Sequence, residues 1–342
     1  MYVIEELDRK NKSDWVQFVS NHPMSNIYHT LSFLESAEKI KSLTPKYLMV
    51  RKKGKLVAIF PIFTESNFLK SLRFFNNTFP SGPLIKGNDT ECLKFLISYI
   101  EGYCSRSSIH TSKIRVSDLN FVKFSKLLNL LGYHESLRGC HVVVDLSHGY
   151  DAVRKKYSSS KRRYIKKSLN SNFSIEEMEQ SDKSMIKFYN LYKTLILKRH
   201  NNKFFTFHFF KKLKENLGHN VQFLYLKQNN DYCGVFLNII DEKNKSLVNL
   251  LGVLNNSSQK SRGFELMHDY SIRHACLLKL KKYDMGGSGS LISEGVLKFK
   301  SEFGGSILPY LSWEKQNSFL LIFCKFVFNN FSSSVFRILS GK

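Results

Sequence analysis

The chain has 342 residues, of which 42% are hydrophobic, so it is long enough for two packed domains and too apolar to be disordered. Its 52 Lys and Arg against 28 Asp and Glu give a formal net charge of +24. Such a surface attracts nucleic acid, anionic lipid headgroups or phosphorylated substrates, unless the charge serves only solubility. The six cysteines include no C-x-x-C pair, which predicts a reduced, cytosolic chain without structural disulfides or zinc.

Helical and strand-like patterns alternate along the chain. In the first half we predict helices over 14–19 and 32–39, a hairpin of strands over 47–51 and 56–60, a helix over 92–104, a strand over 112–116, a helix over 121–131 and a strand over 141–146. After a break at 147–149 we predict a basic helix or helix pair over 151–170, helices over 181–199 and 209–217, a meander over 221–226, 234–240 and 246–251, a helix over 264–278 and a strand over 281–285.

Both halves therefore place helices before a hairpin or meander, and then a helix and a strand. This shared order predicts an α/β or α+β fold with mixed, mostly antiparallel sheets. We assign the first domain to 1–147 and the second domain to 148–312.

The segment 313–342 contains the longest apolar stretch, at 319–328, which Lys325 interrupts. This stretch is too short to cross a bilayer. We expect a C-terminal helical segment that packs either on the first domain or on a membrane surface. The chain begins without the apolar core of a secretory signal, so we expect a cytoplasmic location, either free or peripheral at the inner membrane face.

The densest positive charge lies in the run 154–167, where Lys and Arg are interleaved with Tyr157 and Tyr164. Arg offers planar forks to phosphate, and Tyr can stack on a base. The run therefore predicts a contact with a polyanion, and the alternative is a solvated helix face.

A second motif combines glycines with a lysine near the end of the chain. The sequence YDMGGS occupies 283–288, and Lys300 stands between Phe299 and Phe303. Glycines after a strand let the backbone approach a ligand. A lysine in an apolar setting can stabilise the oxyanion of acyl transfer, with Asp284 orienting an amine or the lysine itself. The alternative is a structural turn with a snorkelling lysine.

A third motif, KSRGFE at 260–265, lies where acyl-CoA enzymes hold pyrophosphate at a helix N-terminus. The match is weak because the carboxylate of Glu265 would repel pyrophosphate. The eleven histidines form no HExxH pattern, so we expect no metal site.

These motifs together resemble those of a known family. The run RRYIKKS at 162–168 resembles the R-x-x-I-R-K-A helix of the Fem-type peptidoglycan-bridge aminoacyltransferases, and 188–192 with Arg199 resembles the helix that follows. The runs DMGG at 284–287 and FKSEFG at 299–304 resemble the family's closing D-x-G-G and F-K-x-x-F-G signatures. The long charged hairpin insertion of some members is missing, which indicates the compact branch.

The resemblance implies two tandem GNAT-like acyltransferase domains with the substrate groove between them. Members move an amino acid from aminoacyl-tRNA to an amine of a cell-wall precursor that often carries UDP or lipid pyrophosphate, and they need no cofactor. Lys300 matches the lysine near the ester carbonyl, and Phe299 matches its neighbour at the RNA end. The expected catalytic residues are Lys300 and Asp284. The expected substrate-binding residues are Phe299, Arg162, Arg163, Lys166, Tyr164, Tyr192, Arg199, Gly286 and Gly287.

Two other functions stay open. The chain can be an N-acyltransferase that uses acyl-CoA, such as acetyl-CoA, to modify an amino sugar for surface polysaccharide. Alternatively, it is a non-enzymatic protein that binds polyanions.

Overall fold

The computed structural model describes residues 1–65, 72–73, 79–107, 109, 111–137, 139–179, 181–198, 205–291 and 295–317. Within these ranges the strands are β1 (Tyr2–Glu6), β2 (Leu43–Lys52), β3 (Lys55–Glu65), β4 (Leu72–Arg73), β5 (Leu84–Ile85), β6 (Thr111–Val116), β7 (His134–Glu135), β8 (Gly139–Asp145), β9 (Phe173–Glu177), β10 (Val221–Gln228), β11 (Asp231–Asp241), β12 (Ser246–Leu254), β13 (Lys282–Gly289), β14 (Ser306–Pro309) and β15 (Leu311–Gln316). The α-helices are α1 (Lys12–Asn21), α2 (Leu31–Ala37), α3 (Thr90–Arg106), α4 (Ser125–Leu130), α5 (Gly149–Lys156), α6 (Ser159–Leu169), α7 (Asp182–Leu197), α8 (Phe207–Leu217), α9 (Asn256–Lys260), α10 (Gly263–Leu277) and α11 (Gly295–Ser301).

The chain divides into two compact units. The first unit holds 1–18, 42–136 and the described residues from 311 onwards, and the second unit holds 19–41 and 137–310.

The first unit is built around an antiparallel sheet of order β1-β2-β3-β4, with β5 beside β3. The hairpin between β2 and β3 turns at Lys53 and Gly54, which both have positive φ angles of 51° and 77°. Two successive left-handed residues match the twist of a two-residue hairpin loop. A second sheet of this unit has the order β6-β15-β7.

The second unit contains a seven-stranded sheet of order β14-β8-β13-β12-β11-β10-β9. Every neighbouring pair is antiparallel except β12 and β13. These two strands run parallel and pair only from Ser246 opposite Lys282 to Val248 opposite Asp284. Beyond these residues the ladder between them ends, although both strands continue.

The two units exchange strands along the sequence. Strand β8 follows β7 in the chain but pairs with β13 and β14 of the second unit. Strand β15 follows β14 but pairs with β6 and β7 of the first unit. The compact units divide at 136/137, whereas the predicted first domain ends at 147, because β8 pairs within the second sheet. The predicted helical segment from 313 begins instead as a strand, and 318–342 lies outside the described residues.

One face of the second sheet packs on α5, α6, α10 and α11. The cluster on this face consists of Cys140, Val142, Val144, Leu146, Val153, Tyr157, Ile165, Leu247, Ile272, Ala275, Tyr283, Met285, Leu297 and Phe303. Side chains alternate between the faces of a strand. Because Val142 and Met285 belong to the cluster, His141 and Asp284 lie on the opposite face of β8 and β13.

The long periodic elements of the sequence are confirmed, including the hairpin, the three-stranded meander and a helix pair, α5 and α6, over the basic run. The predicted helix over 121–131 begins as a 3₁₀ turn at Leu119–Phe124. The short strands β1, β4, β5, β7, β9 and β14 and the helices α9 and α11 have no counterpart in the predictions. No helix of the described ranges is long and apolar enough to span a bilayer.

Candidate active site

Lys300 is a buried cation held by the backbone of β13. It lies on α11 and is 8% exposed. Its Nζ donates hydrogen bonds to the carbonyl oxygens of Gly286 and Gly287, each at 2.9 Å. A lysine ammonium has three hydrogens, so one remains without a partner among the described residues. Burial lowers the pKa of Lys300 to about 8. The side chain is therefore mostly an ammonium at pH 7.

The two carbonyls face Lys300 because β13 is irregular at this point. Its pairing with β8 shifts register between Asp284 and Gly287. Gly286 has a φ of +75°, and a Cβ there would lie 2.6 Å from the carbonyl oxygen of Asn249. Both the left-handed conformation and the close strand contact require glycine. The irregularity turns two successive carbonyls toward one ammonium.

A cavity of about 470 Å³ opens where β12 and β13 stop pairing. Its lining residues are Phe236, Asn249, Leu250, Leu251, Gly252, Gln259, Phe264, His268, Met285, Gly286, Gly287, Gly295, Val296, Phe299 and Lys300, all from the second unit. The structure thus brings together Lys300, Phe299, Gly286 and Gly287 from the predicted site. The wall is largely apolar, which strengthens the field of a single ammonium.

His268, a residue that the sequence analysis missed, forms part of this wall. Its Nδ1 lies 2.8 Å from the hydroxyl oxygen of Tyr283. Burial, followed by the charges of Lys300 and Lys161, holds the pKa of His268 well below its usual value. His268 is therefore a neutral side chain beside the two ammonium groups.

Asp284 connects the lysine site to a histidine on the next strand. Its Oδ1 accepts a hydrogen bond from the backbone N–H of Gly286 at 2.8 Å. Its Oδ2 lies 2.7 Å from Nδ1 of His141. The His141 ring stacks on Tyr310, with centroids 4.7 Å apart and an angle of 16° between the planes. The sequence analysis named Asp284 but missed His141.

Phe299 is positioned by a second buried lysine, Lys161, which the sequence analysis also missed. Lys161 is 1% exposed, and its Nζ lies 3.7 Å from the centre of the Phe299 ring and 4.7 Å from that of Phe303. The helical spacing of 161, 165 and 168 was the available signal, because these three positions form the buried face of α6.

The carboxylate of Glu265 is compensated by neighbouring cations. Its Oε1 lies 3.4 Å from Nη1 of Arg262 and 3.9 Å from Nζ of Lys161, and the residue is 3% exposed. Gly263 serves packing, because a Cβ there would lie 2.7 Å from a methyl group of Leu226. The first turn of α10 thus already contains a buried anion.

The predicted basic residues lie on α6. Arg162, Arg163 and Lys166 are exposed, and Tyr164 is half-buried with the guanidinium of Arg262 at 3.7 Å from its ring centre. Nη1 of Arg162 donates to the carbonyl oxygen of Tyr157 at 2.5 Å, which ties α6 to the C-cap residue of α5. The exposed cations thus lie on the helix whose buried face holds Phe299.

Two predicted residues are not brought to the cavity. Tyr192 is 3% exposed on α7, where it packs against Phe210 and its hydroxyl accepts a hydrogen bond from the N–H of Phe205. Arg199 lies outside the described residues. In the described ranges, no group of three or more His, Cys, Asp or Glu side chains is arranged to hold a metal ion.

Comparisons with known proteins give the family. The model of the FemAB-like family, described as peptidoglycan biosynthesis/recognition, matches residues 86–291. No curated protein matches the chain significantly. Among solved structures, FemX is similar with a TM-score of 0.67 and 11% identity, over 91% of this chain and 97% of FemX.

Two further structures share the fold. A tandem GNAT protein from the clavulanic acid biosynthesis pathway has a TM-score of 0.64 and 10% identity, over 93% of this chain and 99% of that protein. L-PGS from Bacillus licheniformis has a TM-score of 0.58 and 11% identity, over 94% of this chain and 96% of that protein. These likenesses confirm the predicted mixed α/β fold of two tandem GNAT-like domains. The chain belongs to the FemAB-like family, and it is an acyltransferase of cell wall synthesis.

Proposed function

We propose that this chain transfers an aminoacyl group from aminoacyl-tRNA to an amine of a peptidoglycan precursor. The observation that carries the proposal is Lys300. Its ammonium is buried at the wall of an apolar cavity, two of its hydrogens are fixed on backbone carbonyls, and the third is available. A fixed donor at an apolar wall stabilises charge that develops on an oxygen without reorganising during the reaction.

The reaction needs no nucleophilic side chain. The acceptor amine attacks the ester carbonyl carbon, and the carbonyl oxygen becomes an oxyanion that accepts the third hydrogen of Lys300. The C–O bond to the ribose then breaks, and the ribose oxygen leaves with a proton. Holding both reactants beside Lys300 supplies most of the remaining rate enhancement.

The charges on α6 support a nucleic acid as the donor. Arg163 and Lys166 are exposed on the same helix whose Lys161 contacts Phe299 at the cavity. Phosphates bound along this helix would therefore bring an attached ester near Lys300. Such binding is electrostatic and depends steeply on salt.

The second candidate is an acyl-CoA-dependent N-acyltransferase. The gap between β12 and β13 favours it, because an extended acyl carrier can enter the sheet there. The first turn of α10 argues against it. Glu265 fills this turn with a buried carboxylate, whereas a pyrophosphate needs free N–H groups and positive potential there.

We infer the acceptor substrate and the cellular location from the family resemblance. The acceptor is an amine on a cell-wall peptide linked to UDP or lipid pyrophosphate, whose phosphates suit a chain with a net charge of +24. A lipid-linked acceptor brings the enzyme to the inner face of the membrane as a peripheral protein.

The donor is tested by titrating the protein separately with a pool of aminoacyl-tRNAs and with acetyl-CoA in a calorimeter. We expect the charged tRNA to bind and acetyl-CoA to give no heat beyond dilution. Binding of acetyl-CoA alone would reject the tRNA proposal in favour of the second candidate.

The role of Lys300 is tested by transfer from the same tRNA pool to a UDP-linked pentapeptide with a free lysine amine. Lys300→Met should lower kcat on the order of 10²-fold, as loss of an oxyanion donor does. Lys298→Met, an exposed position of the same helix, is the matched control and should keep full activity. Full activity of Lys300→Met would refute the assignment.

A further inference from the structure

A buried imidazole nitrogen without a partner lies one strand away from Lys300. His141 is 5% exposed, and its Nε2 has no hydrogen-bond partner among the described residues. Buried polar atoms of folded proteins are nearly always paired, and an exception at an active site points to a chemical role. The mechanism above does not use this atom.

The contacts of His141 fix which nitrogen carries the proton. An ionised Asp284 only accepts hydrogen bonds, so Nδ1 of His141, 2.7 Å from Oδ2, is the donor. In the neutral ring, Nε2 then carries the lone pair. Tyr310 stacks on the ring and limits its rotation. The aspartate, the tyrosine and the strand together hold one tautomer in one orientation.

The strand register places this pair beside the lysine. His141 is the partner of Gly287 in the β8–β13 ladder, and the carbonyl of Gly287 accepts a hydrogen bond from Lys300. Partners in an antiparallel ladder have Cα atoms within about 5.5 Å of each other. Asp284 keeps 20% of its side chain exposed, so its carboxylate reaches the surface of the unit.

The pair and the lysine contact β13 from opposite faces. α11 packs through Leu297 on the cluster that contains Met285, whereas Asp284 and His141 point away from it. The β12–β13 ladder ends at Val248 and Asp284, and through this gap an amine on the Asp284 face can reach an ester held beside Lys300. The ester and the acceptor amine would then lie on opposite faces of β13.

An amine needs a base in this position. Lysine-type amines are ammonium ions at neutral pH, and an ammonium has no lone pair with which to attack a carbonyl. We propose that Nε2 of His141 removes this proton from the acceptor, with Asp284 as the positioning residue; the inference rests on the proposed function. The titratable side chains seen in contact with His141 in the described ranges are Asp284 and Tyr310.

The protons balance in two transfers. The acceptor ammonium gives one proton to His141, which becomes an imidazolium paired with Asp284. The neutral amine forms the C–N bond, the ester C–O bond breaks, and the second amine proton goes to the departing ribose oxygen. The imidazolium then releases its proton to solvent, so the cycle yields an amide, a ribose hydroxyl and one proton.

The first experiment measures kcat between pH 6.5 and 8.5 for the wild type and for His141→Gln, with the tRNA pool and the UDP-linked pentapeptide. We expect His141→Gln to lower kcat on the order of 10²-fold at pH 7, the usual size of a general-base contribution. The deficit should shrink as pH rises, because the amine then loses its proton unaided. A merely structural role of His141 would instead give a deficit that stays constant over this pH range.

If the wild type transfers no aminoacyl group, the proposed function is rejected. A second measurement then still tests the state of His141. Long-range ¹H–¹⁵N spectra of the full chain labelled at histidine report the tautomer of each ring, and the signals missing from His141→Gln identify His141. Protonated Nδ1 with bare Nε2, lost in Asp284→Asn, supports the pair. A proton resident on Nε2, or an unchanged kcat and pH profile in His141→Gln, would overturn it.

Discussion

The ammonium of Lys161 lies against the face of the Phe299 ring, 3.7 Å from its centre. The same ammonium is 3.3 Å from Oε2 of Glu302 and 3.9 Å from Oε1 of Glu265. Burial lowers the pKa of Lys161, and the two carboxylates oppose this shift. One enclosed cation thus joins α6, α10 and α11, and it fixes a ring that lines the cavity.

Replacing Lys161 by Met should lower the free energy of unfolding by about 2–3 kcal/mol, because a buried carboxylate loses a partner. The loss is smaller than for an isolated pair since Glu265 keeps Arg262. Urea denaturation measures the change. The double variant Lys161→Met/Glu265→Gln should recover part of the stability, and an unchanged single variant would contradict the ion pair.

The rate of transfer should fall as pH rises through about 8. Burial lowers the pKa of Lys300 to about 8, so the ammonium that stabilises the oxyanion is present below this pH and lost above it. Initial rates at saturating substrate, corrected for spontaneous ester hydrolysis, give the profile. Lys300→Met should retain only a low rate without this descending limb. A wild-type rate that keeps rising to pH 9.5 would contradict an ammonium role.

Affinity for tRNA should depend on the exposed cations of α6. Arg163→Ala/Lys166→Ala should weaken binding and reduce the slope of log K against log salt by about 1.5, from roughly 0.7–0.9 for each lost phosphate contact. The control is Lys183→Ala/Lys193→Ala, which removes the same charge from exposed positions of α7. Fluorescence anisotropy over a salt series measures both slopes, and equal slopes for the two variants would show that α6 is not the RNA surface.

Gly286→Ala should impair activity more than Gly295→Ala. The added methyl group at 286 meets the Asn249 carbonyl oxygen at 2.6 Å and strains a φ of +75°. The carbonyls that hold Lys300 should shift, and kcat should fall at least about 10-fold, the order of effect of a small misplacement at a catalytic centre. A Cβ at Gly295 meets no atom within 4 Å, so this second wall position controls for cavity volume. Equal rates for the two variants would mean that the irregularity in β13 is unimportant.

The sequence predicted some residues of the site and missed others. Lys300 was identifiable because it is a cation between two phenylalanines. Gly286 was identifiable because it belongs to a pair of glycines at the end of a predicted strand. His141 and Lys161 were not, since one reads as an ordinary strand residue and the other as one more cation in a basic run. Their roles depend on Asp284 and Phe299, which lie more than 100 residues away along the chain.

The sequence by itself determined the local elements, the basic helix pair and the motifs that indicate an acyltransferase. These features depend on hydrophobic periodicity, glycine conformation and charge, which act between residues close in the chain. Only the tertiary structure decided that β8 joins the sheet of the second unit and that β15 joins a sheet of the first. It also decided that β13 turns two carbonyls toward Lys300 and that Asp284 contacts His141. Such pairings are set by strand register and burial across distant segments, and no local pattern encodes them.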